Sequence, residues 1–435
     1  MKIATLVALS LVAGGAAAQP RVLTLDEALD KAFASAPGLA AAAGRATAAA
    51  ERAEVAFGGY LPTLRFDAAY ARQTGNYAPQ PGQTPDVGTT TYGGETFNYF
   101  SFALVLNQPI YDFGRTGWAW ESARAGAEAA REDGALARLD LWYRVSSRYL
   151  TAIAAAEAMA VAESTREMAR RAAAQAQGMY KLGARPRIDL VQTEALAAAA
   201  EAGAVHAREQ LAIAKSALLA AMGVREPAEF TTMRPAEEPE TAEPAVEAAV
   251  EAALARRPER SRAEARTRGA EADVRQAKSD WWPMLAVGAS GTANGPEFAS
   301  LAPNWSAGAG LTWPLFSGLK TVHGARAAAA SLAATRAEQR EVDVTIRAEV
   351  EQAAAGVRLA RQRLPALQAS VRAAREAVTL AEARYKGGEG GQPEVLDSHR
   401  TLAHAELQRV RGELDLSMAR LAFDRATARM PERLR

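Results

Sequence analysis

The strongest constraint on this chain is that it is written twice. Leu25-Asp26-Glu27-Ala28 is matched by Val246-Glu247-Ala248-Ala249, 221 residues further on. Pro37 and Pro258 keep that displacement, as do Tyr60-Leu61-Pro62-Thr63-Leu64 and Trp281-Trp282-Pro283-Met284-Leu285. Later landmarks are displaced by 205 residues. Pro109-Ile110-Tyr111 falls on Pro314-Leu315-Phe316, and Tyr180-Lys181-Leu182-Gly183 on Tyr385-Lys386-Gly387-Gly388. Two gapless blocks that align Pro, Gly and Tyr point to duplication. The first copy holds the longer insertion between the two proline landmarks. The copies are expected at 19–224 and 245–435. Residues 225–244 carry Pro227, Pro235, Pro239 and Pro244 among acidic residues, and read as an irregular connector. A length of 435 residues would otherwise imply two or three unrelated domains.

Each copy reads as helix, two strands, long helix, turn and helix. Asp26 to Phe57 is helical in composition, with a break at Pro37. Alternation follows: Leu64, Phe66, Ala68 and Tyr70 share one face, and Arg65, Asp67 and Gln73 the other. The returning strand places Phe100, Phe102, Leu104 and Leu106 on one face. In the second copy Leu285, Val287 and Ala289 lead out, and Trp305, Ala307, Ala309, Leu311 and Trp313 return on one face. Period-2 strands of about ten residues suit a tilted membrane-crossing strand, with Trp305 and Trp313 at interfacial levels. They also suit a soluble hairpin with one buried face. Gly75 to Glu95 reads as an exposed loop.

From Gly114 to Met179 nothing stops a helix, which at 1.5 Å per residue is about 100 Å long. The second long helix shows its seam: Ile346, Val350, Ala353, Val357, Ala360, Leu364, Leu367, Val371, Ala374, Val378, Ala381 and Tyr385. Spacing of four and three sustained this far specifies a coiled-coil surface, with a kink expected at Pro365. One protomer has too little cross-section to cover both copies' seams, so lateral oligomerisation is expected.

Residues 1–18 read as a cleavable export signal: Met1-Lys2, an apolar run from Ile3 to Ala13, then Ala16-Ala17-Ala18 before Gln19. The chain has no cysteine. That excludes disulfides, thiolate metal sites and a lipidated thiol. With 51 Lys+Arg against 50 Asp+Glu there is no basic footprint for nucleic acid. No later apolar run reaches the length of a transmembrane helix. An exported chain of this kind is periplasmic, secreted or an outer-membrane β-barrel.

The exported start, the doubled helix-strand-strand-helix-helix order, Tyr60-Leu61-Pro62, Pro314-Leu315-Phe316 before a long helix, and the two Tyr-x-x-Gly tips together resemble the TolC-like outer-membrane efflux family. The resemblance spans essentially all of 19–435. It implies a mainly α fold with a membrane β-barrel portion: a homotrimer of long coiled-coil helices, with four strands per protomer. Residues 225–244 would lie in an equatorial belt. It implies an outer-membrane exit duct with a long periplasmic portion, serving a tripartite efflux pump or type I secretion. A periplasmic adaptor and an inner-membrane pump would be the partners. Phe100, Phe102, Leu104, Leu106, Trp305, Leu311 and Trp313 would face outer-membrane lipid. The alternative from another class is a soluble periplasmic coiled-coil protein of structural or adaptor type.

The tips carry the functional expectation. Tyr385 to Pro393 is a glycine-dense turn, with Pro393 suited to the first turn of the next helix. Glu394 and Asp397 follow on one helical face. The resemblance implies that they form the periplasmic gate, with Asp189 as the first-copy equivalent of Glu394. Acidic residues are also simply favoured in a first helical turn. Tyr180, Gly183, Tyr385 and Gly388 are the implied adaptor-docking tips, and equally ordinary helix-ending turns. Gly390 stands where a latching cation is found in the family; Arg185 or Arg187 is the candidate substitute. His399 and His404 are five apart, off the spacing of a zinc helix. Gly387 to Gly391 lacks the ending of a phosphate loop, and no nucleophile elbow occurs. No enzyme activity, metal or cofactor is expected.

Overall fold

A computed structural model describes residues 21–74, 96–224, 230–235 and 245–434. The expected signal at 1–18, the loop at 75–95, and connector residues 225–229 and 236–244 lie outside the described residues. The helices are α1 (Leu25–Ser35), α2 (Pro37–Phe57), α3 (Arg115–Lys181), α4 (Arg187–Ala221), α5 (Val246–Arg256), α6 (Pro258–Ser279), α7 (Lys320–Gly387) and α8 (Gln392–Ala426). The strands are β1 (Arg21–Leu23), β2 (Thr63–Thr74), β3 (Thr96–Tyr111), β4 (Phe230–Thr232), β5 (Met284–Gly295) and β6 (Ala302–Thr312). Helix lengths run in pairs: 11 and 11 residues for α1 and α5, 67 and 68 for α3 and α7, 35 and 35 for α4 and α8.

Two compact units are present, and both draw on each half of the chain. One comprises residues up to Ala41, Gly134–Arg257 and Asp343–Arg435; the other Ala42–Asp133 and Pro258–Val342.

The second unit contains the four-stranded sheet, in the order β2-β3-β5-β6 and antiparallel throughout. Directly opposed residues share a face. Leu64, Leu106, Ala289 and Ala307 therefore form one row, and Phe66, Leu104, Gly291 and Trp305 the next. The predicted apolar positions within the strands fall on this one face, Trp313 lying just past β6, and the face is open: Phe66 is 65% and Trp305 84% exposed. The other face is small and polar, with Arg65 paired to Asp67 at 2.8 Å and Ser290 bonded to Ser306 at 2.9 Å. Pro109 lies beyond the last β2 pairing, where β3 also shifts register against β5. There a missing N–H costs the ladder little. Below the sheet, α3 and α6 are tied by Arg262–Asp133 and Arg268–Glu128, and α6 to α7 by Arg336–Glu271.

The first unit holds the main core, with Leu29, Val145, Tyr149, Leu218 and Met222 fully buried. The connector is not wholly irregular. Phe230–Thr232 pairs in parallel with Arg21–Leu23. The cause is Tyr149 on α3, whose hydroxyl lies 2.8 Å from the Leu23 carbonyl and 2.7 Å from the Met233 carbonyl, and accepts from the Met233 N–H at 3.2 Å. Burial pushes the Tyr149 hydroxyl's pKa up. Tyr149→Phe should lower unfolding free energy by about 1–3 kcal/mol, because buried backbone groups lose their partner. Denaturant unfolding of the purified protein reads this directly.

The predicted seam of α7 is buried at Ile346, Val350, Val357, Ala360, Val371, Ala374, Ala381 and Tyr385. Ala354 is buried in place of Ala353. Steps of four, four and three let a straight helix keep its contact locally, since eleven residues make three turns of about 3.67 residues. The helix continues through Pro365. Two further stripes stay exposed in the protomer. On α4 they are Ile188, Val191, Ala195, Ala198, Ala202 and Val205; on α7, Leu359, Ala366, Ala369, Ala373 and Leu380. Both keep heptad spacing.

Candidate functional site

The tips belong to the first unit, and both turns close the same way. Gly183 (φ +70°) and Gly388 (φ +79°) occupy the left-handed region that ends a helix most cheaply in glycine. Gly183 N–H donates to the Tyr180 carbonyl at 3.0 Å and Gly388 N–H to that of Tyr385 at 3.2 Å. Ala184 N–H reaches the Met179 carbonyl at 3.0 Å, and Glu389 N–H that of Arg384 at 3.0 Å. Pro186 then precedes α4, while Gly391 precedes α8 with Pro393 in its first turn.

The three candidate gate carboxylates are not equivalent. Glu394 is ion-paired with Arg384 of its own tip, Nη1 to Oε1 at 2.6 Å. Gly390 permits this pair. A Cβ there would stand 3.2 Å from the Arg384 Cβ and 3.3 Å from Glu394 Oε2. Any side chain at 390 would thus crowd the Arg384–Glu394 pair. Asp397 is exposed and has no side-chain partner among the described residues, and neither does half-buried Asp189. For Asp189 the reason lies in the preceding helix: Met179 occupies the position in the first tip that Arg384 holds in the second. Among the described residues, the unpaired negative charge of the protomer's tips therefore rests on Asp189, Asp397 and Glu389, an exposed carboxylate in the second turn itself.

Among the described residues Arg185 pairs with no carboxylate. Its guanidinium lies 4.7 Å from the centroid of the Tyr385 ring. That ring is buried beside Ala381 and Val395, and its hydroxyl approaches the Met179 sulfur at 3.9 Å. The first tip is so clipped to the second within one protomer, a contact worth about 0.5–2 kcal/mol. Tyr180 is exposed, and next to it Leu182 is 85% exposed. Sequence spacing pointed to Glu394, Asp397 and Asp189 but missed the Arg384 pairing. Its only signal was a cation in a last helical turn facing an acid in the next first turn.

Further up, the α3–α4 and α7–α8 pairs repeat one ion pair. Arg170–Glu201 stands at 2.6 Å, and Arg375–Glu406 at 2.9 Å. No three His, Cys, Asp or Glu side chains gather to hold a metal among the described residues. No helix among them is long and apolar enough to cross a membrane.

The sequence and the fold are both similar to those of known proteins. The chain is 28% identical over 413 residues to the pyoverdine export outer membrane protein OpmQ of Pseudomonas putida, covering 92% of this chain and 85% of that one. It is 26% identical over 369 residues to the outer membrane protein OprJ of Pseudomonas aeruginosa, covering 82% and 74%. Its fold is that of the CmeC outer membrane channel of Campylobacter jejuni (TM-score 0.83, 17% identity, 93% and 85% of the two chains). It also matches a membrane protein of Pseudomonas aeruginosa (TM-score 0.81, 23% identity, 93% of each). Residues 28–224 and 249–429 match the model of the outer membrane efflux proteins, and the chain belongs to that family.

Proposed function

We propose that the chain assembles as a homotrimer into an outer-membrane duct, passive and gated at its periplasmic tips, that carries cargo delivered by an inner-membrane pump through a periplasmic adaptor. The observation that carries this reading is the sheet. Among the described residues it has one open apolar face and two unpaired edges, β2 and β6. In lipid each unpaired N–H or C=O costs several kcal/mol, so a sheet crossing a bilayer must close on itself. Four strands are too few to do so. Three copies would give twelve strands, with Phe100, Phe102, Leu104, Leu106, Trp305, Leu311 and Trp313 facing lipid. The exposed heptad stripes on α4 and α7 support the same lateral association. In this reading 19–224 and 245–435 are two copies of one unit, with 225–244 joining them at the equator.

Asp189, Asp397 and the Arg384-paired Glu394 would ring the closed tip, and the Arg185–Tyr385 stack would hold it shut. Tyr180, Gly183, Tyr385 and Gly388 mark the surface for the adaptor. The relative named for pyoverdine export favours a small-molecule cargo over a secreted protein. A soluble coiled-coil role leaves the open apolar sheet face unexplained.

The natural absence of cysteine gives a clean test. Single cysteines scanned along β2 and β6 in one chain should form disulfide-linked trimers at matched positions. Only monomers and random dimers across the whole scan would overturn the closure.

A further inference from the structure

We propose that Arg72, Thr96 and Asn98 bind the phosphorylated headgroup of an outer-leaflet lipid at the rim of the sheet's apolar face. This rests on the membrane reading above. Arg72 lies two residues past Tyr70 on β2, so it continues the face of Phe66 and Tyr70. It is directly opposed to Asn98 of β3, and Thr96 lies two residues from Asn98 on the same face.

The length of the apolar stretch puts Arg72 at a membrane margin. On β3, Asn98 and Gln108 are the polar residues that bracket Phe100, Phe102, Leu104 and Leu106 on this face. They are ten residues apart. That is about 34 Å of strand, or roughly 26 Å of height at a tilt of about 40°. An outer-membrane apolar band is about 25 Å tall, with aromatic girdles at its margins. The Asn98 end carries such a girdle. The rings of Tyr70, Phe100, Phe298 and Phe102 follow one another at centroid distances of 5.1, 6.3 and 5.8 Å. Gln108 lies at the end from which α3 departs. With the helices periplasmic, Arg72 stands at the outer rim, where an arginine costs far less than at the middle of the band.

The unused hydrogen-bonding capacity at this rim is chiefly donor. Arg72 donates to the Thr96 hydroxyl from Nε at 3.3 Å and from Nη2 at 3.0 Å, which leaves Nη1 free and the Thr96 O–H available to donate. The Tyr70 hydroxyl donates to Asn98 Oδ1 at 3.0 Å, so the Asn98 Nδ2 amide is left. No carboxylate meets Arg72 among the described residues. A phosphate monoester offers acceptors and negative charge, the complement of this set, and its oxygens suit a guanidinium fork. The acyl chains of the same molecule would run down the aromatic and aliphatic wall below. A free phosphate gains nothing from that wall, so the occupant is a lipid.

The test uses the whole protein purified in detergent, with bisphosphorylated lipid A, the same lipid stripped of phosphate, and inorganic phosphate as probes. Native mass spectrometry counts the bound molecules. The natural protein should retain the phosphorylated lipid, one per chain, about tenfold more tightly than the stripped one. Arg72→Gln should weaken that retention about tenfold, and Arg72→Lys should recover part of it as a point charge. Arg65→Gln removes a cation from the opposite face and should bind like the natural protein. Equal retention by Arg72→Gln overturns the proposal, as does equal binding of the stripped lipid. Inorganic phosphate that displaces the lipid at matched concentration would overturn the lipid assignment. Recovery of the protein as a detergent-free soluble monomer sinks the membrane reading and this site with it. A membrane-extracted trimer whose Arg72→Gln form keeps its lipid sinks this site alone.

Discussion

Asp397→Asn should strip the duct of most of its block by multivalent cations. In a trimer the substitution removes three carboxylates at once. If each contributes about 1 kcal/mol at the partly hydrated tip, block weakens on the order of a hundredfold. Glu394→Gln should behave differently. Glu394 is held by Arg384 at 2.6 Å, so its removal uncovers a cation instead of emptying a cation site. The expected result is a smaller loss of block and a shift of the open duct toward anions. The double variant should combine both. Titrating cation block and measuring reversal potentials in planar bilayers separates these outcomes. A Glu394→Gln effect equal to that of Asp397→Asn, with no anion shift, would mean that the Arg384 pair does not persist in the assembled tip.

Arg185→Ala should open the tip. The stack on Tyr385 contributes about 0.5–2 kcal/mol per protomer. Three such contacts released together displace the open–closed equilibrium by roughly tenfold to ten-thousandfold or more. Tyr385→Phe keeps the ring and should stay closed, whereas Tyr385→Ala should match Arg185→Ala. Single-channel conductance shows which holds. A silent Arg185→Ala would place the latch elsewhere, and a leaky Tyr385→Phe would assign it to the hydroxyl near the Met179 sulfur.

The element order was legible because period and landmark do not depend on distant partners. Leu64, Phe66, Phe100, Phe102 and Trp305 alternate, so their shared face follows from pleat alone. The α7 seam was legible for the same reason, apart from the step from Ala353 to Ala354. What escaped reading is made by the fold. Phe230–Thr232 is too short to show a period and sits among prolines; it becomes a strand because Tyr149, some eighty residues away, orders the segment beside it. The charge at Glu394 was legible, but its cancellation was not. That needs the turn to bring Arg384 back across ten residues, which Gly390 allows. Arg185 was legible as a cation near the tip, though its partner proved to be an aromatic face and not a carboxylate.

Membrane fractionation followed by mass measurement in detergent tests the central claim most directly. The account predicts that the protein sediments with the outer membrane, leaves it only in detergent and has the mass of three chains. Recovery as a detergent-free soluble monomer would contradict it, because the open apolar sheet face and its two free edges would then have no partner.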